Sequence, residues 1–278
     1  MRNNKFQRIV MLKLLIAALF IFTAADLWAE EPVFDPNFHI YLLIGQSNME
    51  GQPRPEAIDK EENPRVQVLA YDTNSRLHRK YNEWSVAVPP LHDSYMGVGP
   101  GDWFAKTMIT KMPGNVKIGL VPCGINGADI DLFRKNATTA RRAQYIIPPD
   151  NKWDGAYDFV LSRAKLAQQY GVIKGILFHQ GESNNTSPTW ISRVNEIMTD
   201  LRKDLDIPDV PVLVGELLYS GECADHNGVI KNVPRRIENS YIISAKGLSG
   251  ADQWHFNLEA QRELGKRYAQ KMLEVGDY

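Results

Sequence analysis

Short apolar runs alternate with longer amphipathic stretches along most of this 278-residue chain, and no other feature of the sequence restricts its fold as strongly. Strand-like runs occur at 40–44, 66–71, 116–122, 172–179, 211–216 and 241–245. Helix-like stretches occur at about 102–111, 155–170, 188–204, 227–238 and 258–274. Most of the strand-like runs are almost continuously apolar, as expected for strands buried on both faces. The alternation predicts an α/β fold, a three-layer α/β/α sandwich on a mostly parallel sheet.

The first of these strands leads directly to a serine. Residues 40–44 are followed by Gly45 and then by Ser47. We therefore expect Ser47 at the carboxyl end of a central strand, which is the edge at which open α/β sheets bind ligands. Ser47 is a candidate nucleophile on this ground. A second interpretation fits the same stretch equally well, because serine also caps helix N-termini.

A serine nucleophile needs a base, a group that orients the base, and donors for the oxyanion. Near the end of the chain, Asp252 lies three residues before His255. In a loop, this spacing can bring the carboxylate onto Nδ1 and leave Nε2 free for Ser47. The same spacing is common in proteins and by itself more often marks a structural or solvated pair. The pair gains weight only together with the serine.

Two further strands are followed by groups that could bind an oxyanion. Gly127 comes after the strand at 116–122, in a small-residue turn where backbone amides can approach a ligand closely. Gln180 follows the strand at 172–179, and a side-chain amide can donate a hydrogen bond without titrating. Each of these features is weak by itself.

Five short motifs at these positions match a known family when they are taken together. They read G-Q-S-N-M at 45–49, G-P-G-D-W-F-A at 99–105, G-L-V-P-C at 119–123 with Asn126 and Gly127, H-Q-G-E-S-N at 179–184 and D-Q-W-H-F at 252–256. With them, the chain resembles the SGNH hydrolase superfamily, in the branch of carbohydrate esterase family 6 and the sialate O-acetylesterase-like (SASA) domain. The resemblance implies the SGNH fold with a flavodoxin-like sheet, and deacetylation of carbohydrate esters without a metal or organic cofactor.

By this resemblance Ser47 is the nucleophile, His255 the general base and Asp252 the acid that orients the base. The oxyanion hole would consist of the backbone N–H groups of Ser47 and Gly127 and the side chain of Gln180. The chain departs from the wider superfamily, which has asparagine where this chain has Gln180. It also departs from its own branch, because residues 126–130 read N-G-A-D-I where the branch usually has Gly-Gly-Thr-Ser-Ile. This change keeps Gly127 and removes two hydroxyls that could brace the loop.

Three more residues are expected to support the site. Glu182 could accept hydrogen bonds from loop amides or help to position Asn48. A structural role for Glu182 is the favoured interpretation, because buried carboxylates are normally paired. Trp254 stands beside the base and could form the floor of an acyl pocket or stack against a sugar ring.

Residues 1–29 read as a secretory signal peptide and not as part of the fold. Positively charged residues precede an apolar run at 14–25, which is shorter than the roughly 20 residues of a membrane-spanning helix. We expect cleavage after Ala25 or Ala29 and export to the periplasm or the exterior, without a stable membrane anchor. Residues 30–278 are then expected to form a single esterase domain.

Charge and cysteine content bear on other partners. The net charge of -1 at pH 7 gives no electrostatic reason to expect nucleic acid. The two cysteines, Cys123 and Cys223, are too few for a structural zinc site, and the sequence leaves open whether they pair. It also leaves the oligomeric state open.

The sequence thus predicts a serine carbohydrate esterase that removes O-acetyl groups from an acetylated polysaccharide through an acyl-enzyme on Ser47. By the resemblance, acetylated xylan is the first expected substrate and acetylated sialic acid the second. A non-catalytic carbohydrate-binding protein on the same scaffold is the alternative from another class. A missing nucleophile or base would favour that alternative, and neither is missing.

Overall fold

The structure is a computed structural model that describes residues 32–135 and 155–276. The chain divides into two compact units, residues 1–33 and residues 34–278. Every helix and strand that is described lies in the second unit. The expected signal peptide at 1–29 lies outside the described residues, as does most of the connection at 125–153.

One seven-stranded sheet organises the part of the chain that is described. Its strands, in chain order, are β1 (Phe38–Gly45), β2 (Val66–Leu69), β3 (Trp84–Val86), β4 (Lys117–Gly124), β5 (Val172–His179), β6 (Val212–Gly215) and β7 (Ser240–Ile243). In space the order is β3-β2-β4-β1-β5-β6-β7. All neighbouring pairs are parallel except β2 and β3, which are antiparallel. β1 therefore lies at the centre, with β4 and β5 on either side.

Helices cover both faces of this sheet. They are α1 (Ser47–Glu50), α2 (Pro100–Ile109), α3 (Ala156–Gln168), α4 (Trp190–Asp204), α5 (Asn227–Ile230) and α6 (Leu258–Val275). Side chains of β1 alternate between two apolar clusters, since successive residues of a strand point to opposite faces. One cluster joins the sheet to α3 and α4, and the other joins it to α2 and α6. The predicted α/β/α sandwich on a mostly parallel sheet is confirmed.

Local sequence explains where the outer helices begin. Pro100 occupies the first turn of α2, where its missing N–H leaves no bond unmade, and Gly99 precedes it. Asn257 caps α6, because its side-chain oxygen accepts a hydrogen bond from the Ala260 N–H at 2.9 Å. The last helix thus starts directly after the motif that carries His255.

Apart from small differences in boundaries and the single turn α1, which was not among the predicted helices, the elements differ from prediction in two places. The helix expected at 227–238 is wrong, because the chain forms only the single turn α5 and then a 3-10 turn at Val233–Arg235. Pro234 cannot donate to a helical hydrogen bond and crowds the preceding turn, which explains the interruption. β3 was not expected, and it lies within the connection at 72–98 that showed no periodicity.

Two further sequence questions have answers in the described residues. Cys123 and Cys223 are both buried and both free, so they do not form a disulfide. None of the described helices combines the length and the apolar character that crossing a bilayer requires.

Candidate active site

Ser47 lies at the carboxyl end of the central strand, as its position in the sequence predicts. β1 ends at Gly45, where the backbone passes so close to β5 that a β-carbon would lie 2.0 Å from the His179 carbonyl oxygen. The Gln46 N–H donates to that same oxygen at 3.0 Å. A glycine at position 45 therefore allows the chain to turn sharply out of the sheet and to begin α1 at Ser47.

The loop before α6 brings an imidazole and a carboxylate to this serine. His255 Nε2 is 3.0 Å from Ser47 Oγ, and His255 Nδ1 is 2.8 Å from Asp252 Oδ2. The other carboxylate oxygen of Asp252 accepts hydrogen bonds from the backbone N–H groups of Trp254 and His255, both at 2.7 Å. The structure therefore joins Ser47, His255 and Asp252 in one hydrogen-bonded chain.

The electrostatics of this chain favour an ionised Asp252. Partial burial raises the pKa of Asp252, but hydrogen bonds from the His255 ring and from two backbone N–H groups outweigh it and lower the pKa below its usual value. The carboxylate can then hold the proton on Nδ1, which leaves Nε2 as an acceptor facing Ser47 Oγ. This is the arrangement that a serine nucleophile requires.

Two backbone N–H groups, those of Ser47 and Gly127, are the oxyanion donors that the sequence predicts. Ser47 is the first residue of α1, and the first N–H groups of a helix have no intrahelical partner. Gly127 lies in an exposed turn with φ of 65°, a left-handed conformation that favours glycine. Among the described residues, its N–H donates to no backbone carbonyl. Both groups can serve as donors to an oxyanion.

The Gln180 side chain, which the sequence predicts for the oxyanion hole, has several hydrogen-bond partners within the protein. It is fully buried, and Nε2 lies within hydrogen-bond distance of three acceptors: Gln46 Oε1 at 3.1 Å, Ala128 O at 3.1 Å and Asn184 Oδ1 at 2.6 Å. Its Oε1 accepts from Trp190 Nε1 at 2.5 Å. An amide has only two N–H bonds, so an oxyanion would have to replace one of these partners to bind Gln180 Nε2. The contacts also brace the loops around the serine.

Gln46 is a supporting residue that sequence analysis missed. Its Oε1 accepts from Gln180 Nε2 and lies 3.3 Å from the Ser183 N–H, and its Nε2 donates to Ser183 Oγ at 3.2 Å. Ser183 Oγ in turn donates to Gly127 O at 2.9 Å. The residue before the serine thus connects the loop after β5 to the Gly127 turn. Its sequence signals are a polar side chain at the end of an apolar strand and its place in the G-Q-S-N-M motif.

The comparison with known families agrees with this geometry. Residues 37–274 match the family model SASA, described as carbohydrate esterase, sialic acid-specific acetylesterase. The chain belongs to the SASA family of carbohydrate esterases. It is therefore a carbohydrate acetylesterase, a hydrolase that acts on acetyl esters.

Solved structures with the same fold come from several sources. A protein from Arabidopsis thaliana is 24% identical with a TM-score of 0.70, and the match covers 86% of this esterase and 99% of that chain. NanS is 17% identical with a TM-score of 0.66, covering 87% and 98%. A carbohydrate acetylesterase from Xanthomonas citri is 17% identical with a TM-score of 0.62, covering 85% of this chain and 56% of the other. At these identities the likeness establishes a shared fold.

The three expected supporting residues of the esterase surround the base. Asn48 is fully buried, and its Nδ2 donates to Glu182 Oε1 at 2.5 Å and to Trp254 O at 2.9 Å. Burial raises the pKa of Glu182, and the hydrogen bond from Asn48 opposes that shift. Trp254 is 44% exposed as a residue and follows Gln253 in the loop beside His255.

His179 lies close to Glu182 without forming an ion pair. Its Nε2 is 3.7 Å from Glu182 Oε1, but complete burial lowers the pKa of His179 to about 3. The imidazole is therefore neutral at physiological pH. In the described part of the chain, no group of three or more His, Cys, Asp or Glu side chains is arranged to hold a metal ion.

Proposed function

We propose that the esterase uses Ser47 as a nucleophile and passes through an acetyl-enzyme. Ser47 Oγ attacks the acetyl carbonyl carbon while His255 Nε2 accepts its proton, and the carbonyl oxygen becomes an oxyanion near the N–H groups of Ser47 and Gly127. The bond to the sugar oxygen then breaks, and His255 returns the proton to that oxygen. The sugar leaves with a free hydroxyl.

Hydrolysis of the acetyl-enzyme repeats these steps with water as the nucleophile. His255 takes a proton from water, the hydroxide adds to the acetyl carbon, and the bond to Ser47 Oγ breaks as His255 protonates that oxygen. Acetate is released and the serine is restored. Asp252 holds the imidazole in the tautomer that both halves of the reaction need.

The single observation that supports this mechanism is the 3.0 Å separation of Ser47 Oγ and His255 Nε2. The test is the mature protein with an aryl acetate as substrate, compared with Ser47→Ala. We expect the substitution to abolish turnover and to remove covalent labelling by an organophosphonate. Full activity of the Ser47→Ala protein would reject Ser47 as the nucleophile. It would also revive a binding role for the site.

For the substrate we propose an acetylated, uncharged polysaccharide, with acetylated xylan first. The Asp252 side chain is 47% exposed beside the base, and a fixed negative charge there disfavours an anionic sugar near the reacting ester. The accessible Trp254 ring offers an apolar surface to a sugar. Acetylated sialic acid is the second candidate, because the matching family model is described as sialic acid-specific.

A release assay separates these two substrates. Acetate production is measured from acetylated xylan and from O-acetylated sialic acid at equal ester concentrations. We expect at least tenfold higher kcat/KM on the xylan. The opposite ratio would select the sialate. Loss of both activities in Ser47→Ala is the control for contaminating esterases.

We propose that residues 1–29 export the esterase, so that it acts in the periplasm or outside the cell. Their charge and apolar run support this, and polymeric substrates do not cross a membrane. N-terminal sequencing of the protein from the extracytoplasmic fraction tests the proposal. A mature chain that begins after Ala25 or Ala29 is expected. A full-length chain in the cytoplasm would contradict export.

A further inference from the structure

The side chain of Asn48 is hydrogen bonded to the backbone on both sides of His255. Its Nδ2 donates to the carbonyl of Trp254 at 2.9 Å, and its Oδ1 accepts from the N–H of Phe256 at 3.2 Å. Asn48 is also the residue that follows Ser47 in α1. One buried carboxamide therefore connects the immediate neighbour of the serine to both immediate neighbours of the imidazole.

The orientation of this carboxamide is determined by its surroundings. The second hydrogen of Nδ2 is donated to Glu182 Oε1 at 2.5 Å. If the amide were turned by half a rotation, Asn48 Oδ1 would face Glu182 Oε1 and Trp254 O, which are both acceptors. The Phe256 N–H would then face an NH₂ group and lose its partner. Glu182 thus selects the orientation in which Asn48 can hold the His255 backbone.

The loop that carries His255 is ordered internally by other bonds. Ala251 N–H donates to His255 O at 2.8 Å, and Asn257 N–H donates to Ser249 O at 3.0 Å. These bonds give the loop its shape, but they do not connect it to α1. The Asn48 amide connects α1 to the loop residues on either side of His255. A displacement of about 1 Å between reacting groups can cost on the order of a hundredfold in rate.

We propose that Asn48 is a positioning residue that sets the distance between Ser47 Oγ and His255 Nε2, and that Glu182 acts through Asn48. The inference rests on the proposed function of Ser47 and His255 and adds the hydrogen bonds that align their side chains. It assigns Glu182 no contact with the substrate. The hydrogen bonds of Asn48 and Glu182 do not form part of the acyl-binding surface, so substrate affinity should not depend on them.

The test compares Asn48→Ala with a matched control elsewhere in the fold. Asn227 is also buried, and it makes the same kind of contact with Leu217: Oδ1 accepts from the Leu217 N–H at 2.7 Å and Nδ2 donates to Leu217 O at 2.9 Å. We expect Asn48→Ala to lower kcat on an aryl acetate by about a hundredfold, with KM within about threefold of the parent. Asn227→Ala should lower the melting temperature similarly and leave kcat within about threefold.

Variants at Glu182 test the second half of the proposal. Glu182→Gln keeps an acceptor for Asn48 Nδ2 and should retain kcat within about fivefold, whereas Glu182→Leu should lose nearly as much as Asn48→Ala. The double variant Asn48→Ala with Glu182→Leu should lose little more than Asn48→Ala alone, because both changes act on the same hydrogen bonds. Losses that multiply would show that Glu182 acts independently of Asn48.

A further double variant covers the case in which Asn48→Ala does not fold. Asn48→Asp combined with Glu182→Gln keeps a hydrogen bond between the two side chains, with donor and acceptor exchanged, and places a carboxylate oxygen instead of a donor against Trp254 O. It should lower kcat at least tenfold with unchanged KM. Equal kcat losses in Asn48→Ala and Asn227→Ala, or a rise in KM alone, would overturn the inference. Activity in Ser47→Ala would contradict the proposed function itself. An inactive Ser47→Ala together with a fully active Asn48→Ala would reject only the positioning role of Asn48.

Discussion

Asp252 uses both oxygens of its carboxylate on His255: Oδ2 lies 2.8 Å from the ring Nδ1, and Oδ1 accepts from the His255 backbone N–H at 2.7 Å. The same side chain therefore folds the loop and fixes the imidazole within it. The three-residue spacing makes this possible, because a short turn returns the backbone N–H groups of residues 254 and 255 to the carboxylate.

Asp252→Asn should reduce turnover strongly while leaving the fold intact. The amide can still accept from the backbone through its oxygen, but its NH₂ group then faces Nδ1 and favours the tautomer with the proton on Nε2. We expect kcat on an aryl acetate to fall by about 10²–10⁴-fold. The measurement is steady-state kinetics, with circular dichroism as the check on folding. Turnover within a few-fold of the parent would show that Asp252 does not orient the base.

Gln180→Ala should act mainly on stability. The substitution leaves the fully buried donor Trp190 Nε1 without its acceptor, whereas Asn184 Oδ1 still accepts from the Ile130 N–H at 2.8 Å. An unsatisfied buried group costs about 1–3 kcal/mol, so we expect the melting temperature to fall by about 3 °C or more. Gln67→Ala, which removes an exposed hydrogen bond to Pro64 O, is the control and should leave the melting temperature nearly unchanged. An unchanged melting temperature together with a kcat loss above a hundredfold would instead support Gln180 as an oxyanion donor.

The fold was predictable because its central strands carry an unambiguous pattern. The strand expected at 172–179 matches β5 residue for residue, and the helix expected at 258–274 differs from α6 by a single residue. β3 escaped prediction because it has three residues, all half-buried, at the edge of the sheet. Such a strand shows neither an apolar run nor a clear alternation.

The meeting of Ser47 and His255 at one site was predictable from their positions in the chain, but the direction of the Gln180 side chain was not. Ser47 and His255 lie at one edge of the sheet, and their contact follows from strand order and from the start of α6. For Gln180, the sequence places an amide at the end of β5 and cannot indicate which way the amide points. Trp190, ten residues further on, holds the amide oxygen. Tertiary contacts of this kind are absent from local sequence patterns.

Trp254→Ala should weaken binding of a polysaccharide and spare a small ester. Residue 254 is 44% exposed, and the hydrogen bonds that it makes involve its backbone, so the loop should keep its shape. We expect KM for acetylated xylan to rise about tenfold, with kcat/KM for an aryl acetate within about threefold. Trp254→Phe keeps an aromatic surface and should recover most of the affinity. Equal losses on both substrates would place the ring in the acetyl pocket instead.

Glu50 is a buried acid next to a buried imidazole. A β-carbon at Gly124 would lie 2.8 Å from Glu50 Cγ and 3.0 Å from His92 Nε2, so both side chains pack against that glycine. Burial, with a smaller contribution from Asp93, raises the pKa of Glu50 to about 8. Burial also lowers the pKa of His92 to about 3. Both groups are therefore neutral in the folded protein near pH 7.

Glu50→Gln should stabilise the esterase at alkaline pH. Between about pH 4.5 and pH 8, Glu50 is protonated in the folded chain and ionised in the unfolded chain, so stability falls as pH rises, by up to about 1.4 kcal/mol per pH unit. The glutamine variant lacks this proton uptake. Urea unfolding at pH 5, 6.5 and 8 should show a gain on the order of 3 kcal/mol at pH 8 and little gain at pH 5. For the control Glu62→Gln, at an exposed position, the free energy of unfolding should depend on pH as it does in the parent. The same pH dependence in Glu50→Gln would mean that Glu50 is already ionised in the folded protein.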